Sequence, residues 1–247
     1  MRRSAFLAAL LVTLGLSTVA RATAVAIDPT RVHLSGKTHS QSLALRNSGA
    51  EKARFQVTAF TWQQSPTGEM QLTPTSDILF FPSLLEIAPG ETRKVRVASD
   101  VPPETLEKSY RLFIDELPPP NANTTGAIRV LTRLGIPVFL QPSSPQAQPA
   151  LAVELKRGHL LISLENRGNS YLLAQSVRLV ARNAAGEVRL QQDLPAWYVL
   201  AHGKRLYDVP VDDALCQTLS QLSVSTKTDR GNTRADKTVA AEACAKQ

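Results

Sequence analysis

Residues 128–140 read Ile-Arg-Val-Leu-Thr-Arg-Leu-Gly-Ile-Pro-Val-Phe-Leu, and every even position in this stretch holds an apolar residue or a threonine. Alternation with a period of two predicts a β-strand that presents its even-numbered side chains on one face. At about 3.3 Å per residue the run would extend roughly 40 Å, whereas an ordinary strand has about 5–6 residues. The unusual length raises the question of what lies beside this strand.

Pro137 lies inside the run, although proline has no N–H group for a central ladder and is confined within sheets to edges, strand starts and bulges. The run is therefore predicted to be an edge strand. Proteins normally blunt an exposed apolar edge because it aggregates, so an edge that is kept suggests pairing with another chain. The alternative is a long sandwich strand whose apolar row faces its own core.

The beginning of the chain has the composition of a secretory signal. Met-Arg-Arg is followed by an apolar stretch, residues 5–16, and by the small-residue sequence Ala20-Arg21-Ala22-Thr23-Ala24. This pattern predicts a signal peptide at residues 1–22, with cleavage after Ala22 or Ala24. A membrane anchor is the weaker interpretation, because the apolar stretch is shorter than the ~20 residues that span a bilayer.

The remaining chain is long enough for two domains of about a hundred residues each. Its first half contains about seven short alternating segments between turns and no convincing helix, which is typical of an immunoglobulin-like sandwich. Residues 141–149, Gln-Pro-Ser-Ser-Pro-Gln-Ala-Gln-Pro, have no apolar period and are typical of a semi-rigid linker. The strand pattern then resumes. We predict an all-β protein with domains at 23–142 and 150–247, joined by a linker at 143–149.

Three of the predicted strands lie near the two ends of the mature chain. Residues 24–34 are predicted to form one strand, and residues 219–227 and 237–243 are predicted to form the last two. The pattern is less regular beyond residue 210.

Cys216 and Cys244 are the only cysteines, and both lie in the C-terminal part of a chain that is predicted to be exported. An oxidising compartment favours a disulfide between them. Two free thiols remain the alternative, because the sequence does not show whether the two residues approach each other.

The net charge of +7 and the pI of about 9.7 first suggest a nucleic acid or an anionic membrane as partner. However, the basic residues are spread thinly, no run of five occurs, and aromatic residues make up only 5% of the chain. Export also argues against a nucleic-acid partner. The charge is better explained by solubility and by steering toward acidic partner proteins.

No motif for catalysis, metal binding or cofactor binding is present in the sequence. The four histidines are scattered without metal-ligand spacing, and there is no HExxH, G-x-S-x-G or phosphate-loop pattern. Asp115 and Glu116 are adjacent in a predicted strand, so they point to opposite faces and cannot act as a carboxylate pair. We therefore expect neither an enzyme nor a metal or cofactor site.

Four stretches occur in an order and spacing that match a known family. They are Ile27-Asp28-Pro29-Thr30-Arg31-Val32, Phe81-Pro82 followed by Leu85 to Val97, Tyr110 to Pro118, and Asn166-Arg167-Gly168-Asn169. Together they resemble the periplasmic pilus, or fimbrial, chaperones. The resemblance covers nearly the whole mature chain and is strongest over residues 27–140.

The resemblance implies a boomerang of two immunoglobulin-like β-sandwich domains that works in the periplasm of a Gram-negative cell. Such a chaperone holds pilus subunits and delivers them to an outer-membrane usher. It lends each incomplete subunit the last strand of its first domain, which corresponds here to residues 128–140. The row assigned to the subunit consists of Ile128, Val130, Thr132, Leu134 and Ile136. In the alternative, this row packs inside the first domain and leaves Leu131 and Phe139 outward.

The resemblance also implies two basic side chains in the interdomain cleft that bind the C-terminal carboxylate of the subunit. Arg31 matches the arginine of the first strand, but Pro137 stands where the best-known branch has a lysine. Arg111 is the candidate substitute, because its Tyr-Arg context and the Ile-Pro-Val-Phe sequence resemble the archaic, sigma-related branch. Arg133 is the third choice. A surface cation or a structural ion pair is the alternative role for these arginines.

The competing interpretation is an exported adhesive or carbohydrate-binding sandwich, in which Trp62, Trp197 and Tyr198 would form an aromatic platform. Core packing is the simpler explanation of these residues. A free chaperone with an exposed edge would also be prone to self-association.

Overall fold

The computed structural model describes residues 25–118 and 130–244, and these residues form almost only β-strands. Residues 25–140 supply the two sheets of an N-terminal domain, and residues 149–238 supply the two sheets of a C-terminal domain. The predicted all-β architecture with two domains is confirmed. The exact domain boundaries remain a prediction, and the signal peptide lies outside the described residues.

The described part of the N-terminal domain contains ten strands. They are β1 Val25–Asp28, β2 Val32–Leu34, β3 Ser40–Asn47, β4 Ala53–Gln64, β5 Met70–Pro74, β6 Ile78–Phe81, β7 Leu84–Ile87, β8 Thr92–Ser99, β9 Lys108–Leu117 and β10 Arg133–Leu140. One sheet has the order β1-β3-β8-β6, and the other has the order β2-β10-β9-β4-β5 with β7 also beside β4. The pairing of β10 with β2 is parallel.

The prediction of a single strand over residues 24–34 is wrong, because the chain changes sheet within this segment. β1 pairs with β3 in one sheet, whereas β2 pairs with β10 in the other. The break between them contains Pro29, which has no N–H to donate to a ladder. Each sheet therefore receives one half of this segment.

The C-terminal domain is a second pair of sheets. Its strands are β11 Pro149–Lys156, β12 His159–Asn166, β13 Leu172–Arg182, β14 Val188–Leu194, β15 Tyr198–Val199, β16 Lys204–Pro210, β17 Gln221–Thr228 and β18 Gly231–Thr238. The sheet orders are β11-β12-β16 and β14-β13-β17-β18, with β15 beside β13. A short helix, α1 Asp213–Thr218, connects β16 to β17.

The last predicted strand, residues 237–243, is also wrong in its position. The final strand is β18, which ends at Thr238, and residues Ala241–Cys244 form a 3₁₀ turn instead. A disulfide joins Cys244 in this turn to Cys216 in α1, with Cα atoms 5.8 Å apart. The predicted disulfide is therefore formed. It attaches the end of the described chain to α1.

Each domain has its own apolar core. The N-terminal core is formed by inward side chains such as Leu43, Phe55, Val97 and Leu112, and the C-terminal core by residues such as Leu160, Leu179 and Val224. In the described residues, no helix is long and apolar enough to cross a membrane.

Candidate functional site

β10 has a different environment at each of its ends. It is shorter than the predicted run of residues 128–140, because the strand begins at Arg133. β9 pairs with all of β10, whereas β2 pairs only with residues 138–140. Among the described residues, positions 133–137 therefore have a ladder partner on one side only. Pro137 ends this open stretch, in agreement with its predicted place at an edge.

The backbone groups of β10 point alternately toward β9 and toward the open edge. The N–H of Glu116 donates to the carbonyl of Thr132 over 2.9 Å, on the β9 side. The N–H of Gln141 donates to the carbonyl of Leu34 over 2.8 Å, on the β2 side. Because this orientation alternates along the strand, the groups of Arg133 and Gly135 face the same way as those of Gln141. They are directed at the open edge.

The even-numbered side chains near the open edge change from exposed to buried along the chain, from Val130 to Ile136. Ile136 is 4% exposed inside the N-terminal core, Leu134 is half-buried against that core, and Val130 is 74% exposed. Thr132 is half-buried, and Ile128 lies outside the described residues. The row is thus a continuation of the domain core beyond the sandwich. Its accessible part consists of Val130, Thr132 and Leu134.

Ile136 differs from the expectation that all five members of the row are accessible to a partner. Ile136 lies opposite Leu112, which is itself fully buried, so the domain already covers the Ile136 side chain. The alternative in which the row packs inside its own domain therefore applies to Ile136. It does not apply to Val130.

An aromatic cluster fills the seam between the two domains. The N-terminal domain contributes Trp62 and Phe139, and the C-terminal domain contributes Tyr171, Tyr198 and Leu200. The rings of Phe139 and Tyr171 stack with their centroids 3.9 Å apart. Because Trp62 and Tyr198 are buried here, they cannot form the exposed platform that the adhesive interpretation requires. Phe139 is likewise buried and not left outward.

Arg111 lies within this seam as a buried cation. Arg111 is 5% exposed. Its guanidinium carbon lies 4.0 Å from the ring centroid of Trp62 and 4.8 Å from that of Trp197. Nη1 donates to the carbonyl of Gly135 over 3.3 Å, whereas Nε and Nη2 have no partner among the described residues. Burial lowers the pKa of Arg111 to about 10. The side chain stays protonated at neutral pH, and two of its donors are buried in the seam without a hydrogen-bond partner among the described residues.

Arg31 occupies the same seam, closer to solvent. Its Nη1 donates to the hydroxyl of Tyr171 over 3.3 Å, and this hydroxyl lies 3.0 Å from Nε2 of His33. Burial, together with the charges of Arg31 and Arg230, lowers the pKa of His33, so its ring is neutral at pH 7. Because His33 is neutral, the positive charge beside the Tyr171 hydroxyl belongs to Arg31, which is half-buried.

Arg133 is placed apart from these two arginines. Its Nε lies 2.8 Å from a carboxylate oxygen of Asp115, and its guanidinium carbon lies 4.3 Å from the ring centroid of Phe113. This exposed ion pair lies along β9 and β10, not in the aromatic seam. The structure therefore brings Arg31 and Arg111 to the interdomain seam and leaves Arg133 engaged elsewhere.

Two further residues of the seam were not predicted from the sequence. Glu107 is 5% exposed and accepts the N–H of Tyr171 over 2.9 Å. Gln64 donates to the carbonyl of Tyr198 over 2.9 Å and accepts the N–H of Leu200 over 3.1 Å. Neither residue belongs to a recognisable sequence motif. Each is important because it contacts the other domain, and such a contact is not visible in the sequence.

Comparison with protein families gives a match over residues 24–146 to the pili and flagellar-assembly chaperones, in the profile of the PapD N-terminal domain. The chain belongs to this chaperone family. The matched residues contain every strand of the N-terminal domain, including β10 with its open edge. No curated protein sequence matches the chaperone at a significant level.

Solved structures show the same fold for both domains of the chaperone. One is a complex of the chaperone CsuC with the tip adhesion subunit CsuE, from archaic Csu pili of Acinetobacter baumannii, with 19% identity and a TM-score of 0.60 over 88% of this chain and 99% of that chain. The Pseudomonas aeruginosa CupB2 chaperone has 16% identity and a TM-score of 0.55, with 87% and 100% covered. The Salmonella enterica SafA pilin–SafB chaperone complex matches with 15% identity and a TM-score of 0.55, with 88% and 97% covered.

Proposed function

We propose that this chaperone holds pilus subunits by lending them the open end of β10 as a missing strand. The observation that carries the proposal is the apolar row of Val130, Thr132 and Leu134, which continues the core past the sandwich beside backbone groups that no second strand pairs in the described residues. In strand addition of this kind, main-chain bonds supply affinity and pockets for alternate side chains supply specificity. The chaperone would thereby complete the core of its subunit.

The accessible apolar side chains alone would not hold a subunit. Full burial of Val130 and of the remaining half of Leu134 would contribute roughly 2–4 kcal/mol, before the cost of ordering the chain. A micromolar complex requires about 8 kcal/mol. Backbone pairing along β10 and a second contact must supply the difference.

We assign this second contact to the C-terminal carboxylate of the subunit. Arg31 is accessible at the seam, and Arg111 lies behind it with two donors that lack partners. A carboxylate held between such groups forms charge-assisted hydrogen bonds, which are stronger in a partly buried seam than at an open surface. Arg111 would take the part of the lysine that Pro137 replaces.

The cellular setting of the proposal follows from the family and the N-terminal sequence. A cleaved signal peptide would export the chaperone to the periplasm, where an outer-membrane usher would receive its subunits. The Tyr110-Arg111 pair and the Ile136-Pro137-Val138-Phe139 sequence resemble the archaic branch of the family, to which we assign the chaperone.

Co-purification tests the proposed function. The chaperone is produced together with the small secreted proteins encoded beside its gene, and complexes are isolated from the periplasm. We expect a one-to-one complex with one of these proteins. Recovery of the chaperone alone, from cells that also make the secreted proteins, would contradict the proposal, and retention on a sugar column would favour the adhesive alternative.

A further inference from the structure

The linker between the two domains is hydrogen-bonded to the turn that joins β12 to β13. This turn contains the Asn166-Arg167-Gly168-Asn169 sequence, to which the proposed function assigns no role. The N–H of Gln148 donates to the side-chain oxygen of Asn166 over 3.1 Å, and the N–H of Arg167 donates to the carbonyl of Gln148 over 2.9 Å. The linker is therefore attached to the C-terminal domain before β11 begins.

Asn166 fixes the turn to which the linker is attached. It is 1% exposed, and its amide nitrogen lies 2.7, 3.2 and 3.1 Å from the carbonyl oxygens of Ser170, Val199 and Leu200. Its amide oxygen also accepts the N–H of Gly168 over 3.1 Å. Because these partners lie on both sides of the turn, the turn is a rigid part of the C-terminal domain.

Gly168 allows the linker to lie against this turn. A Cβ atom at position 168 would be 2.1 Å from the carbonyl oxygen of Gln146 and 2.7 Å from the Cα atom of Ala147. Both distances are well inside the van der Waals separation of about 3.5 Å. Any side chain at position 168 would therefore push the linker away from the turn.

Asn169 joins the turn and the linker to the N-terminal domain. Its amide oxygen accepts the N–H of Gln146 over 2.7 Å, and its amide nitrogen donates to the carbonyl of Ser144 over 3.2 Å. The same nitrogen donates to the carbonyl of Thr105 in the N-terminal domain over 3.1 Å. The carbonyl of Asn169 accepts the N–H of Glu107 over 2.9 Å. One residue thus connects all three parts of the chain.

The contacts of Asn169 are suited to setting the angle between the domains. Apolar burial in the aromatic cluster is non-directional, whereas hydrogen bonds weaken steeply when their angle falls below about 120°. Thr105 and Glu107 directly precede β9, and β9 pairs with all of β10. The position of Asn169 is therefore transmitted through β9 to the open edge of β10.

We infer that Asn169 is a positioning residue that sets the angle between the two domains, and that subunit binding requires this angle. The inference rests on the proposed function, in which the subunit contacts both the open end of β10 and the interdomain seam. The shape of the seam depends on how the domains are oriented. A chaperone whose domains sample many angles binds only while the angle is correct, so its apparent affinity falls by that fraction.

The test measures the distance between one spin label in each domain by pulsed electron paramagnetic resonance. The two native cysteines are joined in the disulfide, so Ser42→Cys in β3 and Ser225→Cys in β17 supply specific, exposed labelling sites. In this background the distance distribution is compared with those of Asn169→Ala and Asn169→Asp. Asn169→Asp keeps the shape of the side chain and its acceptor oxygen, but it loses the amide donor. The matched control is Asn232→Ala, at an exposed asparagine in β18.

Gly168→Ala disturbs the same contact without removing a polar group, and it keeps the test decisive if an Asn169 variant fails to fold. Its control is Gly36→Ala, where the added Cβ would lie 4.0 Å from Pro103, at an ordinary contact distance. Calorimetry checks that both domains of every variant still unfold cooperatively. Co-purification with the subunit is repeated for each variant.

We expect Asn169→Ala to roughly double the width of the distance distribution, since three directional hydrogen bonds of its side chain are lost. Asn169→Asp should also broaden it, Gly168→Ala should shift its mean, and both controls should match the background protein. The yield of the subunit complex should fall about fivefold in Asn169→Ala.

An unchanged distance distribution in the folded variants of Asn169 and Gly168 would overturn the inference. Full capture of the subunit by a variant with a broadened distribution would also overturn it, because binding would then not require the angle. If the wild type captures no subunit, the proposed function fails, and with it the requirement for binding. The distances would still decide whether Asn169 sets the domain angle.

Discussion

The backbone N–H of Tyr171 in the C-terminal domain donates to the carboxylate of Glu107 in the N-terminal domain over 2.9 Å. Glu107 in turn donates its own N–H to the carbonyl of Asn169 over 2.9 Å. The second carboxylate oxygen of Glu107 has no hydrogen-bond partner among the described residues. A buried acid therefore lies at the junction of the two domains.

This junction makes the stability of the chaperone depend on pH. Burial raises the pKa of Glu107 from 4.5 to about 7, against the opposing effect of the Tyr171 hydrogen bond. The folded state then binds the proton more tightly than the unfolded state does. The free energy of unfolding should therefore fall as the pH rises from about 4.5 to 7, by up to about 3 kcal/mol, and stay level above that.

His33 acts in the opposite direction, because its lowered pKa costs stability as the pH falls below about 6.5. The useful measurement is therefore the difference between the wild type and Glu107→Gln in urea unfolding at several pH values. We expect Glu107→Gln to become more stable relative to the wild type as the pH rises to 7, because only the wild type loses the free energy of the raised pKa. A difference that does not change with pH would show that Glu107 titrates normally.

Val130 should decide subunit capture without affecting the fold. Val130→Asp places a charge on the exposed apolar row, and burying that charge against a subunit is costly. We expect loss of the complex in co-purification and an unchanged unfolding midpoint. Val188→Asp is the matched control, since Val188 is also an exposed valine but lies on β14 in the C-terminal domain. Equal loss of capture in both variants would argue against a specific role for Val130.

Ile136 should behave as a core residue, in contrast to Val130. Ile136→Ala removes a buried side chain opposite Leu112 and should lower the free energy of unfolding by about 2–4 kcal/mol. Val130→Ala should change it by less than about 0.5 kcal/mol, because surface positions tolerate truncation. Urea unfolding of the free chaperone measures both. A small effect of Ile136→Ala would mean that its side chain is accessible after all.

Gln64 should couple the two domains. Its amide group forms two hydrogen bonds with the backbone of residues 198–200, and their loss would leave buried backbone groups unpaired. We expect Gln64→Ala to cost about 1–3 kcal/mol and to separate the thermal unfolding of the two domains. Gln63→Ala, at the exposed neighbouring position in β4, serves as the control. A single sharp transition in Gln64→Ala would show that the aromatic cluster is sufficient for coupling.

The disulfide should stabilise the C-terminal domain. Cys216 and Cys244 are 28 residues apart, and closing a loop of that size restricts the unfolded chain by about 3–4 kcal/mol. Replacing both cysteines by serine should lower the unfolding temperature of the C-terminal domain in calorimetry. The N-terminal transition should not move. A shift of both transitions would indicate that the disulfide also supports the domain junction.

Much of the fold could be predicted from residues that are close in the sequence. The alternation in β10 and the turn residues between segments reflect the pleat of a strand, which is a local property. Prediction was less successful where distant contacts decide the outcome. Residues 24–34, predicted as a single strand, form two strands, because β3 pairs with the first half and β10 pairs with the second.

The candidate site shows the same division in its side chains. The alternation places Val130, Thr132, Leu134 and Ile136 on one face. Which of these side chains is buried depends on the surrounding strands, which cover Ile136 and leave Val130 exposed. The sequence context predicts a role for Arg111, whereas its contacts with two tryptophans depend on Trp197 from the other domain. Glu107 has no local sequence signal at all.

The sequence by itself determined the all-β class, the open strand with Pro137, the pair of cysteines and the family. These features depend on side-chain period, on the missing N–H of proline and on residue spacing, all of which can be read along the chain. The tertiary structure alone decided which cations meet at the seam, because Arg31 and Tyr171 are 140 residues apart. Contacts over such separations exist only after both domains have folded and docked.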